Sequence, residues 1–462
     1  MPDVQFDIDL PDNVRARALG TATEILGRLA DESILSAAAT STEHVTGNTA
    51  WDPTSLYSGA PGFALVFTTA AQAGRHDSEH WMGCAHRWFR VMANATQVHP
   101  AQSASMAAGT AGIALAVSDA AAVDPRYQQT LAGLHRTLAK QVDSLASVPT
   151  EGLGFWHYDV IMGPAGILGY LTALSENLGD SDTRHAERAL VDALVRLTDL
   201  GWLGWRIPRQ NYPQRPIEHE LYPHGYADLG LAHGLPGPLA ALSRARLNGD
   251  HRPRVRVAIE RLAAQLVEVS RFSGHGRAWP RVVPFDAAGK AAPERTAANE
   301  ASYCYGAPGI CSALLDAADA LGDRSLEAIA IEGFDAVARQ VASKPQYRAP
   351  GLCHGVAGLL LISHKFAARR SCPAARTMTV SLTQELLKWC NFERPLVVQD
   401  YKPTEVGAPN SPLANSPAGA WLDDPGLLEG AAGVAMTLLS VATDMPADWS
   451  RSMLVGGMRQ VL

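Results

Sequence analysis

Two kinds of segment alternate along the chain. The first kind is small and apolar, and each example begins at a Gly-x-x-Gly element: Gly59 with Gly62, Gly109 with Gly112, Gly163 with Gly166, Gly234 with Gly237, Gly306 with Gly309, Gly355 with Gly358, and Gly430 with Gly433. After the third element Ile167, Leu168, Tyr170, Leu171 and Leu174 recur at helical spacing before Gly179, and after the fifth Ile310, Leu314, Leu315, Ala318 and Leu321 do so before Gly322. That spacing predicts helices that a glycine later stops. Pro61, Pro164, Pro236 and Pro308 fall inside the elements, near the first helical turn, where a missing N–H costs little and a fixed φ helps. The second kind is amphipathic and more charged, as in 126–142, 183–198, 252–269, 324–341 and 375–387. These stretches predict helices with one face in water.

The first glycines of successive elements stand 50, 54, 71, 72, 49 and 75 positions apart by subtraction. That series fits a helical hairpin of roughly 50 residues repeated seven times, with longer loops in three intervals. Glycine-rich starts let the apolar helices converge closely while the charged helices surround them. The expected fold is therefore all-α, a double-layered α/α toroid of seven helical hairpins. It is read as a single domain over 1–462, with an N-terminal segment 1–50 and loops near 200–232, 272–302 and 391–422, all rich in Pro, Gly, Asn or charge. Most of the repeated glycines serve packing.

Composition narrows the class. Hydrophobic residues are 47% and charged residues 18% of the chain, enough apolar surface for a large core and too little charge for disorder. The formal charge of −7 comes without a long basic cluster, which sets nucleic-acid binding aside. The acidic start, Met1 to Asp7, lacks the basic and apolar regions of a secretory signal, and the small-residue run 106–117 is followed by Asp119. Both point to a cytoplasmic chain with no membrane insertion. Six cysteines in 462 residues are too sparse for a disulfide scaffold, so a functional subset would bind metal or do chemistry.

The polar exceptions within the repeats share one phase. Cys304-Tyr305-Gly306 precedes the fifth element, Cys353-His354-Gly355 the sixth and Ala232-His233-Gly234 the fourth, and Asp159 lies four residues before Gly163. If the repeats are radially equivalent, these side chains gather at one mouth of the ring. Cys304, Cys353 and His354 would then offer two thiolates and an imidazole to one tetrahedral ion, with a fourth position open, a donor set that selects zinc over calcium or magnesium. Two thiolates and a neutral imidazole cancel the dication, so a substrate thiolate joining them stays electron-rich and nucleophilic. His233 is placed to exchange a proton with substrate, and Asp159 to orient it. Trp156, His157, His219 and His224 lie in adjacent loops and stay outside the candidate set, and Cys84, Cys311, Cys372 and Cys390 lack the Cys-x-Gly or Cys-His-Gly setting and read as structural.

Four motifs carry a family resemblance: Tyr158-Asp159-Val160-Ile161 before Gly163, Leu229-Gly230-Leu231-Ala232-His233-Gly234, Cys304-Tyr305-Gly306 and Leu352-Cys353-His354-Gly355. With them the chain resembles the lanthipeptide (lanthionine) cyclase family, stand-alone class I type, from about 55 to 441. The resemblance implies an α-toroid holding one Zn2+ ion on Cys304, Cys353 and His354, with His233 as acid/base and Asp159 as its partner. It implies addition of a peptide cysteine to dehydroalanine or dehydrobutyrine, giving (methyl)lanthionine rings. Further expectations are a dehydrated precursor peptide as substrate, a separate dehydratase, since no dehydratase region precedes the repeats, and an exporter at the membrane that would hold the chain peripherally in a biosynthesis complex.

One motif departs from the family. Many members resemble Arg-x-x-Trp-Cys-Tyr-Gly where this chain has Glu300-Ala301-Ser302-Tyr303-Cys304-Tyr305-Gly306. The charge beside the expected metal is reversed, which bears on enolate stabilisation and peptide choice. Arg295 is the candidate in the same loop to compensate. Competing readings are a prenyltransferase-like thiol alkylation, addition of glutathione to dehydrated proteins, and a non-catalytic zinc-stabilised peptide scaffold.

Overall fold

The computed structural model describes residues 10–46, 51–73, 77–147, 153–174, 178–212, 216–293, 300–343, 347, 349–368, 372–402, 420–443 and 447–456. In chain order the helices are α1 (Asp12–Leu29), α2 (Glu32–Thr46), α3 (Ala60–Ala73), α4 (Ser78–Val98), α5 (Thr110–Val123), α6 (Gln128–Leu145), α7 (Pro164–Leu171), α8 (Ser181–Asp199), α9 (Pro216–Leu221), α10 (Pro236–Leu247), α11 (Pro253–Val269), α12 (Ala307–Leu321), α13 (Arg324–Ser343), α14 (Val356–Ala367), α15 (Pro373–Trp389) and α16 (Ala431–Ala442). The seven Gly-x-x-Gly elements open α3, α5, α7, α10, α12, α14 and α16. Pro164, Pro236 and Pro308 occupy the first turns of their helices, and Gly322 closes α12 in the left-handed conformation at φ 68°.

The two kinds of helix bury differently. All of α7 is buried, whereas α11 buries a single stripe of Val255, Ala258, Ile259, Leu262, Ala263, Leu266 and Val269. Each large side chain in such a stripe contributes about 1.5–3 kcal/mol relative to exposure.

The chain forms two compact units by contact density. The first comprises 1–101, 115–127 and 346–447. In it α3 packs on α4, α14 on α15, and α16 against α14 and α3. No amphipathic helix comes after α16 among the described residues; its outer partner is α1, which buries Val14, Ala18, Ala22, Ile25 and Leu29. The first stretch of the chain thereby completes the pairing of the last repeat.

The second unit comprises 102–114, 128–345 and 448–462. Here α10 lies between α7 and α12, with α8 and α11 outside them and α13 against α12. The stretches expected as loops carry short strands: β1 (Tyr226–Asp228), β2 (Arg271–Ser273), β3 (Gly276–Ala278) and β4 (Val282–Pro284), with β5 (Asp400–Lys402) and β6 (Ala420–Leu422) in the first unit. Each sheet is an antiparallel pair, β1 with β4, β2 with β3 and β5 with β6. A buried 3-10 turn, Asp448–Met453, packs on α7. Arg244 of α10 anchors this turn and the residues just after it, donating to the carbonyls of Arg451 at 3.2 Å and Gly456 at 2.7 Å and facing Asp316 of α12 at 3.4 Å.

Candidate metal and acid–base site

Asp159 and His233 come together because their loops share a backbone bond. Val160 N donates to Ala232 O at 2.9 Å, and Gly237 permits the approach, since a Cβ there would lie 2.8 Å from Val160 Cγ2. The result is a contact of 2.7 Å between His233 Nδ1 and Asp159 Oδ2. Asp159 is fully buried and also accepts from the backbone N–H groups of Met162 at 2.8 Å and Gly163 at 2.6 Å. Burial pushes its carboxyl above the ordinary range, against the lowering effect of His233 and the two N–H groups. The His233 ring is 31% exposed and meets Phe155 edge-on at 5.0 Å. With Nδ1–H donating to the carboxylate, Nε2 is the basic nitrogen.

Cys304 sits on a tight turn that opens α12. Ser302 N donates to Tyr305 O at 3.1 Å and Tyr305 N to Ser302 Oγ at 3.2 Å, while Ala301 bridges Gly306. Gly306 closes the turn at φ 95°, and a Cβ there would strike Glu300 O at 1.8 Å, so glycine is required on both counts. Tyr303 Oη donates to Met453 O at 3.0 Å, tying the turn to the end of the described chain. Glu300 is ion-paired: its Oε1 lies 3.2 Å from Arg281 Nη1, and the Arg281 guanidinium stands 4.0 Å over the Tyr305 ring.

Cys353 and His354 precede α14, and their loop is held by Leu352 N and Cys353 N, both donating to Leu428 O at 3.0 Å. Cys353 Sγ lies 3.7 Å from His354 Nε2. Cys304 and Cys353 are buried and His354 is exposed, and one ligand atom from each of the three falls within 4.8 Å of the others. Zinc bond lengths of about 2.3 Å to sulfur and about 2.0 Å to nitrogen place neighbouring tetrahedral ligands roughly 3.6 Å apart. The Cys353–His354 separation matches that edge, and the donor set suits the ion in chemistry.

The neighbouring residues have other partners. His157 Nδ1 accepts from Gly154 N at 2.9 Å, His219 Nδ1 accepts from Arg209 Nε at 3.2 Å, and Trp156 packs on His157. Cys311 lies where Gly333 passes, and burial raises the thiols of Cys84 and Cys390, the latter to about 12. Arg295 falls outside the described residues. Arg281 was not singled out from sequence, since nothing in the run Trp279-Pro280-Arg281 marks it. Asp228 and Asp424, each six residues before a repeat glycine, accept from the N–H two positions on at 2.6 and 2.7 Å, a repeat signature that the glycines overshadow.

Hairpins begun by glycine, a thiol–imidazole cluster and an Asp–His pair define a class of helical protein with candidate metal and acid–base groups. The model of the family described as "Lanthionine synthetase C-like protein" matches residues 50–454, and the chain belongs to that family. A curated relative, "Nisin biosynthesis protein NisC" of Lactococcus lactis subsp. lactis, is 25% identical over 320 residues, covering 67% of this chain and 73% of the relative. A solved structure titled "Nisin cyclase" superposes with a TM-score of 0.71 at 21% identity, covering 92% of this chain and 96% of the other. The fold is thus the helical toroid expected from the repeats, and the chain is an enzyme of the lanthionine cyclase type.

Proposed function

We propose that this chain is a zinc-dependent cyclase that adds cysteine thiols of a dehydrated precursor peptide to its dehydroalanine or dehydrobutyrine residues, forming lanthionine and methyllanthionine rings. The observation that carries the reading is the approach of Cys304, Cys353 and His354 to within 4.8 Å of one another. These three would hold one zinc ion, which when bound lowers the pKa of an incoming peptide thiol and keeps it as thiolate.

The chain's own residues supply the rest. The thiolate forms a bond to the β-carbon while the alkene pair moves toward the neighbouring carbonyl, and the α-carbon then takes up a proton. His233 exchanges that proton at Nε2, and Asp159, donating nothing itself, fixes the ring through Nδ1 and stabilises its charged form. One thiol is consumed per ring and no mass is gained or lost. The chain acts as one cyclase domain in the cytoplasm, with a separate dehydratase preparing the peptide and an exporter at the membrane removing it. No described helix is long and apolar enough to cross a membrane.

The test is incubation of the zinc-loaded protein with a dehydrated cysteine-containing peptide, then thiol titration and fragmentation. Loss of thiol at constant mass, with fragmentation blocked inside rings, supports the reading. A peptide that gains a prenyl group from prenyl diphosphate, or the mass of glutathione when that thiol is supplied, assigns the site to another thiol alkylation. Binding of the peptide without thiol loss assigns it to a scaffold.

A further inference from the structure

Glu300 puts an acid four residues before Cys304, beside a reaction that drives negative charge onto a substrate carbonyl. Asp159 and Asp228, both buried, add two more acids to the same unit. Left alone, these groups would oppose the developing enolate. The structure places a cation against Glu300 and within electrostatic reach of Asp228. Arg281 precedes β4, whose Val282 pairs with Asp228 of β1. Its carbonyl accepts from Leu229 N at 3.1 Å, so its backbone is fastened to the loop that carries His233. Its side chain reaches the other loop, with Glu300 at 3.2 Å and the Tyr305 ring at 4.0 Å beneath the guanidinium. The two loops are themselves in contact: a Cβ on Gly230 would lie 2.4 Å from Cys304 O and 2.9 Å from the Tyr305 ring.

We propose that Arg281 is a catalytic cation of this site, aimed by Glu300 and Tyr305 at the carbonyl oxygen of the dehydrated residue; this rests on the cyclase reading above. Three features favour that role over a lock between loops. Tyr305 directly follows Cys304, and a Cβ on Gly230 of the His233 loop would lie 2.9 Å from its ring, so the guanidinium stacked 4.0 Å over that ring stands where the loops of Cys304 and His233 meet. The Arg281 side chain is 38% exposed and that of Glu300 25%, which leaves the pair open to a ligand instead of sealed in the core. A guanidinium also stays protonated throughout and offers a planar fork of donors, which suits a group that meets charge and transfers no proton. In the addition step, the C–S bond forms as the alkene pair shifts to the carbonyl oxygen, where Arg281 meets the charge; the charge is discharged when the α-carbon is protonated, and Arg281 is unchanged. Glu300 is a positioning residue in this arrangement.

The experiment compares wild type with Arg281→Gln, Arg281→Lys, Glu300→Gln and the exchanged pair Arg281→Glu/Glu300→Arg, each zinc-loaded, on the same dehydrated peptide. Zinc content, thermal midpoint, kcat and KM are all recorded. Removal of one preorganised donor typically costs about 10²–10³ in rate, so Arg281→Gln should lose on the order of a hundredfold in kcat with zinc content and KM nearly unchanged. Arg281→Lys should recover part of that loss, Glu300→Gln should lose about tenfold or less, and the exchanged pair should exceed Arg281→Gln. An Arg281→Gln protein with wild-type kcat overturns the inference alone, as does one whose loss is matched by loss of zinc or of thermal midpoint in both Arg281→Gln and Arg281→Lys. A wild type that consumes no thiol overturns the cyclase reading and this inference together.

Discussion

At the scale of single residues, the Asp159–His233 contact brings together two groups whose proposed roles one substitution each can isolate. The carboxylate is buried and accepts three hydrogen bonds, whereas the imidazole is partly open to solvent. Neither residue belongs to the thiol–imidazole cluster. His233→Ala should therefore retain zinc while kcat falls by roughly 10²–10⁴, the usual contribution of a positioned acid/base. Asp159→Asn keeps an oxygen for the N–H groups of Met162 and Gly163 but loses the charge that steadies the imidazolium, so a smaller fall, about tenfold to a hundredfold, is expected. Metal analysis beside steady-state kinetics checks both; zinc loss in either variant would show that the pair supports the metal loops instead of the proton. His233 was legible in the sequence because it precedes a repeat glycine, the phase shared with His354. Arg281 was not, because its importance comes from a strand pairing across more than fifty residues and from an acid 19 positions away.

At the scale of elements, the seven glycine starts and five of the outer helices could be read directly, since helical periodicity and glycine stops are local signals. What escaped was non-local or short. The stripe of α1 is regular, yet no Gly-x-x-Gly precedes it and its partner α16 lies about 400 residues away. The three sheets among the described residues are built from strands of three residues, too brief for an alternating pattern. Packing between the elements also sets a pH response. His135 of α6 is 1% exposed and contacts Tyr170 Oη of α7 at 2.8 Å, with Asp180, the cap of α8, at 3.7 Å. Burial outweighs the carboxylate and lowers the imidazole below its ordinary 6.5, so the folded protein holds it neutral. The unfolded chain binds the proton first, and the stabilisation present above pH 6.5 is lost as pH falls below that value. A thermal midpoint that declines from about pH 7 to about pH 5 is expected, with a shallower decline in His135→Gln. Equal slopes in the two proteins would exclude this residue as the source.

At the scale of the whole molecule, the proposed zinc site draws on thiols that the chain supplies 49 positions apart, Cys304 and Cys353, the interval between the fifth and sixth glycine elements. Each turn is stabilised within its own surroundings, by the Ser302–Tyr305 bonds in one case and by Leu428 in the other. Metal bound there would therefore draw on preformed loops and need not fold the protein, unlike small zinc domains that are unfolded without metal. Chelation should remove activity and leave most of the helical signal in place. Cys304→Ala and Cys353→Ala should each lose zinc and cyclisation for the same reason, since two remaining donors form a far weaker site. The most direct measurement is thiol consumption in a dehydrated peptide by one protein sample before chelation, after it, and after stoichiometric zinc is returned. Ring formation that stops and then resumes in step with bound zinc is the predicted result; full cyclisation by verified metal-free protein would contradict it.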